Sequence, residues 1–254
     1  LIASIYDLRA HQAFRDKDWA SVEKFRSITT SLQPRFAKHW DLAAWDMAWN
    51  AYAYYRNKSE WTEDAVESWQ MKNIIMPRYL EKGLELAKQG AEWIPESYRL
   101  AMVVADIYSQ KYDNPQLAAQ WYLKSSIVDD APPYVFRAYA THLARCEGKE
   151  EEAYEVTSSL YRSTRFGARA LTLTVRRDME RLEDHIAFKA ANEMSLEQLE
   201  SAALSNGSTY LDYAKLGMHL LEVKKDLKAA LAVYREIVND KDAPLFYSRK
   251  LLML

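Results

Sequence analysis

A helical rhythm closed by proline recurs along this chain, and it restricts the fold more than any other feature. Asp18-Trp19-Ala20 runs on to Leu32-Gln33-Pro34, Asn114-Pro115-Gln116-Leu117-Ala118-Ala119 to Ala131-Pro132, and Asp226-Leu227-Lys228-Ala229-Ala230 to Ala243-Pro244. In each stretch a small residue, Ala20, Ala118 or Ala230, stands fourteen positions before the proline. Proline stops a helix because it lacks the N–H and its ring clashes with the preceding turn. Helical hairpins repeated in this way bury their apolar stripes only by stacking on one another. The pattern therefore predicts an extended superhelix, a shape whose surfaces usually bind other proteins.

Composition supports this and excludes much else. Only 6 of the 254 residues are Gly, against a usual share of ~7%. Gly supplies positive φ and close backbone approach, so its scarcity argues against folds rich in tight turns or phosphate loops. A net charge of −2 gives no global attraction to nucleic acid or an anionic membrane. The lone Cys146 permits no intrachain disulfide. No run of eighteen apolar residues occurs, so this segment is not expected to insert in a bilayer. The chain opens on Leu1-Ile2-Ala3-Ser4-Ile5-Tyr6, already helical in pattern, which predicts further sequence upstream and leaves room there for a leader or anchor.

Residues 1–14 read as a helix with Leu1, Ile5 and Leu8 on its apolar face, and Asp16 or Asp18 caps the next. Residues 35–57 carry Phe36, Trp40, Ala43, Ala44, Met47, Ala48 and Ala51 on one face, flanked by Trp45, Trp49 and Tyr52. A helix so apolar on several sides is packed by neighbours on both flanks. The next helix, from about Thr62 to Gly90, is expected to kink or break at Pro77. Asn114-Pro115 places a cap before a proline at the first helical position, where the missing N–H has no partner to lose. Ser195-Leu196-Glu197-Gln198 fits a capping box. The chain as a whole predicts eleven to thirteen helices in one all-α domain over 1–254, though length alone also allows two. Regular hairpins fall near 1–34, 95–131, 133–163 and 208–243, with irregular stretches at 60–94 and 164–207.

These hairpins resemble tetratricopeptide repeats. The last carries the best match, with Leu216-Gly217 in its first helix, Ala230 and Tyr234 in its second, and Pro244 at its end. Ala105, Tyr108, Ala119, Tyr122 and Pro132 mark a second match, and residues 18–34 resemble the second helix of a degenerate unit. The spacing departs from the family's ideal: Pro34 to Pro95 is 61 residues and Pro95 to Pro132 is 37. Phe25 to Pro34, then Phe36 and Trp40 to Asn50, resemble uncharacterised bacterial repeat proteins with a hydrophobic N-terminal anchor. The resemblance implies a right-handed superhelix of antiparallel hairpins acting as a scaffold, held at a membrane by sequence upstream. Some family members grip a peptide carboxylate with Lys, Arg and Asn on first helices; Asn50 and Arg56 sit on such a helix here, but the matching basic set is absent.

All eight Trp lie at or before Trp121. Trp40, Trp45, Trp49, Trp61, Trp69 and Trp93 are either wedges in the core or the lining of a groove for an apolar segment. Trp45, Trp49 and Tyr52 are the candidates for a recognition face, since aromatic anchors dominate interfaces. Arg162, Arg165, Arg169 and Arg176 fall at spacings of one helical face, open to an acidic partner. Asp178, Glu180, Glu183 and Asp184 follow at once, and a solvated, ion-paired face is the plainer expectation. His142 stands four residues from Cys146, but a packed thiol is the simpler reading. The five His form no HxxxH or HExxH pair, and no phosphate loop or nucleophile elbow occurs. No cofactor, metal or catalytic residue is therefore expected. A scaffold taking a protein or peptide partner on its concave face is the leading expectation. Self-assembly through the apolar chain ends, residues 1–14 and Leu245, Phe246, Leu251, Leu252 and Leu254, comes second. An enzyme or small-ligand module on a helical scaffold comes third.

Overall fold

The computed structural model describes residues 1–164, 169–239, 243–244 and 246–253. The described residues form thirteen helices and no strand. The chain divides into two compact units, Leu1–His142 and Leu143–Leu254.

In the first unit, α1 (Ile2–Arg15) and α2 (Trp19–Leu32) form a hairpin. Asp18 caps α2, its carboxylate accepting from the Ser21 N–H at 3.1 Å. The buried face of α1 is the reverse of the expected one. Ala3, Ala10 and Ala13 point inward, while Leu1, Ile2, Ile5 and Leu8 are exposed. Small side chains let the two helices close tightly, and this outweighs the larger apolar area on the other side. The fourteen-residue spacing likewise marks buried positions at Ala118 and Ala230 but not at Ala20. That residue is exposed, because Trp19 and Val22 take the inward positions of α2.

Ala37–Trp45, a π-turn at Asp46–Ala51 and Tyr52–Trp61 make one continuous helix, α3 (37–61). Ala65–Gln70, a second π-turn at Met71–Ile75 and Met76–Trp93 make another, α4 (65–93). Pro77 therefore does not break the helix. The π-turn immediately before it changes the bonding pattern where proline supplies no donor and crowds the carbonyl four residues back. The two long helices pack through glycine. A Cβ on Gly83 would lie 2.6 Å from the Ala48 Cβ and 2.7 Å from the Ala48 backbone nitrogen, and one on Gly90 would meet the Trp40 side chain at 2.7 Å. Because backbone blocks the first site, Gly83→Ala should lower the stability of this unit by about 2–3 kcal/mol. Urea unfolding followed by tryptophan emission reads this unit alone, since all eight Trp belong to it. A loss below about 0.5 kcal/mol would mean that the helices part freely.

Helices α5 (Tyr98–Gln110) and α6 (Pro115–Ser126) form the next hairpin. The Asn114 side chain caps α6, accepting from the Leu117 N–H at 2.9 Å. Helix α7 (Pro133–Leu143) follows. The first helices α3 and α5 pack directly on each other, as do the first helices of neighbouring hairpins in a stacked array.

The second unit comprises α8 (Glu150–Thr164), α9 (Arg169–Glu193), α10 (Leu196–Ala203), α11 (Tyr210–Glu222), α12 (Leu227–Asn239) and α13 (Phe246–Met253). The capping box at Ser195 forms as expected: the Gln198 backbone N–H donates to the Ser195 hydroxyl at 3.3 Å and the Ser195 N–H to the Gln198 side-chain carbonyl at 2.9 Å. Gly217 of α11 faces the Tyr234 ring of α12 so closely that a Cβ would sit 2.8 Å from the ring carbon bearing the hydroxyl. The core of this unit joins Tyr154, Met179, Ile186, Leu211, Tyr234, Phe246 and Tyr247.

Candidate functional site

Trp45 and Trp49 project from successive turns of α3, and the π-turn Asp46–Ala51 carries the second of them. Their indole rings stack with centroids 4.3 Å apart and planes 12° apart. The Trp49 indole N–H donates to the side-chain carbonyl of Gln110, at the end of α5, at 3.1 Å. The next residue, Lys111, holds its ammonium 4.5 Å from the centre of the Tyr52 ring and 5.7 Å from that of Trp49. Trp45 is 38% exposed and Trp49 and Tyr52 are half-buried, so the group forms a surface. Burial lowers the Lys111 pKa, and the nearby Arg56 guanidinium lowers it further. Neither cation makes an ion pair among the described residues. This face thus combines a flat aromatic platform with two positive charges that make no ion pair among the described residues.

No family model and no curated protein matches the chain. The functional reading therefore rests on the residues themselves.

Trp45, Trp49 and Tyr52 come together, but the other tryptophans do not join them. Trp40 is buried, its N–H donating to the Pro34 carbonyl at 2.8 Å, whereas Trp61, Trp69 and Trp93 are exposed without a ring contact to the pair. Gln110 and Lys111 complete the face from about sixty residues away. Nothing in the local sequence around α3 points to them; only the stacking of first helices could have.

The arginine stripe does not form one helical face. Arg162 lies on α8 and Arg176 on α9, which are separate helices. Arg165 and the Arg169 side chain lie outside the described residues. Nor is Glu183 part of a solvated face. Its carboxylate is fully buried, accepting from the hydroxyls of Tyr154 (3.1 Å) and Tyr247 and from the Lys250 ammonium at 2.7 Å. Lys250 also meets Asp184 at 2.6 Å. Burial pushes the Glu183 pKa up, while Lys250 and the two hydroxyls oppose the rise. Burial alone would lower Lys250, but Glu183 and Asp184 reverse this and hold its pKa above the ordinary lysine value.

The chain ends divide similarly. Phe246 is buried in its own core and cannot serve as a docking residue, Leu251 is half-buried, and Leu252 and Met253 are exposed. Leu245 and Leu254 lie outside the described residues. His142 bonds to the Ala138 carbonyl through Nδ1 at 2.8 Å and to the Ser109 hydroxyl through Nε2 at 2.6 Å. A carbonyl can only accept, so Nδ1 carries the proton, and in the neutral ring Nε2 accepts from the Ser109 hydroxyl. This contact ties α5 to α7. Burial raises the Cys146 pKa, which disfavours the thiolate. Among the described residues no group of His, Cys, Asp and Glu is placed to hold a metal ion, and no helix is long and apolar enough to cross a membrane.

Proposed function

We propose that this chain is a protein-interaction scaffold of the tetratricopeptide-repeat kind. The first unit takes a short acidic segment of a partner protein on the face formed by Trp45, Trp49, Tyr52 and Lys111. The observation that carries this reading is the stacked tryptophan pair with the Lys111 ammonium 4.5 Å from the neighbouring Tyr52 ring centre and in no ion pair among the described residues. Aromatic side chains and cations of this kind are the usual anchors of protein interfaces. A partner carboxylate would pair with Lys111 and Arg56, and an adjacent apolar or aromatic side chain would lie on the indole platform. The π-turn beneath Trp49 fits the same reading, since such turns often occur at functional sites.

The test is a fluorescence titration with two synthetic peptides. One carries Asp and Glu around a central Phe; the other carries Lys in place of the acids. Binding of the acidic peptide should weaken as salt is raised. It should fall at least tenfold in Trp49→Ala and in Lys111→Glu, with the helical circular-dichroism signal unchanged. Equal binding of the two peptides, or an acidic peptide indifferent to Lys111→Glu, would sink the proposal.

A further inference from the structure

The turn between α3 and α4 exposes an acidic segment built around one tryptophan. Trp61 closes α3, residues 62–64 make the connection, and Ala65 opens α4. Three carboxylates, Glu60, Glu63 and Asp64, thus surround one indole within five residues. Trp61 is 85% exposed and makes no ring contact among the described residues. The three acids are exposed too and make no ion pair among the described residues. Lys58, on the same tip, is committed to Glu67 at 2.9 Å.

The tip is held in shape from within. The Asp64 carboxylate accepts from the N–H groups of Val66 at 2.8 Å and Glu67 at 3.2 Å. The Thr62 hydroxyl donates to Glu67 at 2.9 Å, and the Ser68 hydroxyl to the Ser59 carbonyl at 2.8 Å. A segment already ordered loses little freedom on docking.

Charge selects the surface that this tip fits. The aromatic face of the same unit presents stacked indoles with Lys111 and Arg56, which make no ion pair among the described residues. Acids around an indole in one place match cations beside an indole platform in the other. At its exposure Trp61 is not seated on the face of its own chain, which leaves the face of another.

Resting on the reading of that face as an acidic-segment site, we propose that its occupant is a second copy of this chain. The 60–64 tip of one copy seats Trp61 on the Trp45–Trp49 platform of the other, with its carboxylates against Lys111 and Arg56.

Sedimentation velocity on the full chain tests this. The wild type should associate as its concentration rises and dissociate as salt is raised. Lys111→Glu damages the face and leaves the tip intact, whereas Glu60→Lys with Glu63→Lys does the reverse. Each variant alone should self-associate at least tenfold more weakly. An equal mixture should form a one-to-one complex, because each supplies the surface that the other lacks. Trp61→Ser is a second tip variant and should act like the charge reversal. A wild type that stays monomeric up to about 1 mM overturns the proposal, as does a mixture that fails to associate. Loss in Trp93→Ser but not in Trp61→Ser overturns the assignment of the tip, since Trp93 is also exposed and stands between Glu92 and Glu96. The synthetic acidic peptide separates the two readings. Peptide binding to a chain that stays monomeric overturns only the self-recognition, and the absence of both overturns the acidic-segment site as well.

Discussion

Glu183→Ala should destabilise the second unit by about 3–5 kcal/mol, the usual cost of removing one partner of a buried ion pair. Against a domain stability of about 5–15 kcal/mol, this is a large fraction. The carboxylate ties α8, α9 and α13 together, through Tyr154, Tyr247 and Lys250. Alanine would leave a mostly buried ammonium with Asp184 alone, the Tyr154 hydroxyl without its carboxylate, the Tyr247 hydroxyl with the Tyr210 carbonyl at 3.4 Å, and a void. Glu183→Gln keeps the shape and can still accept from the tyrosines, so its loss should be smaller. The two variants also differ in pH dependence. Burial raises the folded pKa of Glu183. Above the ordinary glutamate value of about 4.3 the folded state therefore holds more protons than the unfolded one. The group's contribution then falls as pH rises through the interval up to the folded pKa. Glu183→Gln should remove that slope. Unfolding followed by far-UV circular dichroism checks both claims, with tryptophan emission reporting the first unit in parallel. A glutamine variant that keeps the full wild-type slope would assign it to another group.

Why Glu183 escapes a reading of the sequence is instructive. It stands in a run of charged residues, Asp178 to Asp184, which has the composition of a solvated face. Its burial depends on Tyr247 and Lys250, more than sixty residues ahead. What the sequence does show well is local. Helical periodicity locates the elements, and the caps at Asp18, Asn114 and Ser195 form because each needs only neighbours three residues away.

The misreadings have tertiary causes. The apolar count of α1 favours Leu1, Ile5 and Leu8, but close approach to α2 selects the alanine side. Pro77 signals a kink or a break; the helix, which packs along α3, runs on through it, with a π-turn just before the proline. The candidate site is half legible in the same sense. Trp45, Trp49 and Tyr52 share a helix and could be chosen from it, whereas Gln110 and Lys111 arrive only through the packing of α3 on α5.

The binding face has its own buried support, and Arg26→Ala tests it. Arg26 is 2% exposed and joins three segments. Its Nε donates to Asp46 at 2.7 Å, and its Nη1 donates to Asp7 of α1. Asp46, itself buried, also accepts from Asn50 at 3.0 Å. Asp46 opens the π-turn that carries Trp49, so this salt bridge fixes the backbone under the stacked pair. Alanine would leave the Asp46 carboxylate buried with only the neutral Asn50 amide, at a cost of about 3–5 kcal/mol. Asp7 is partly exposed and can turn to water. Replacing both partners, Arg26→Met with Asp46→Leu, removes the uncompensated charge and should recover most of the loss. Urea unfolding by tryptophan emission gives the cycle, and simple addition of the two single losses would mean the pair is not coupled. The repaired variant separates stability from binding. Its fold should return, but without Asp46 and its bonds to Arg26 and Asn50 the Trp49 turn is no longer fixed in register with Gln110 and Lys111. Acidic-peptide affinity should then stay reduced, and full recovery of affinity would show that the aromatic face assembles without its buried anchor.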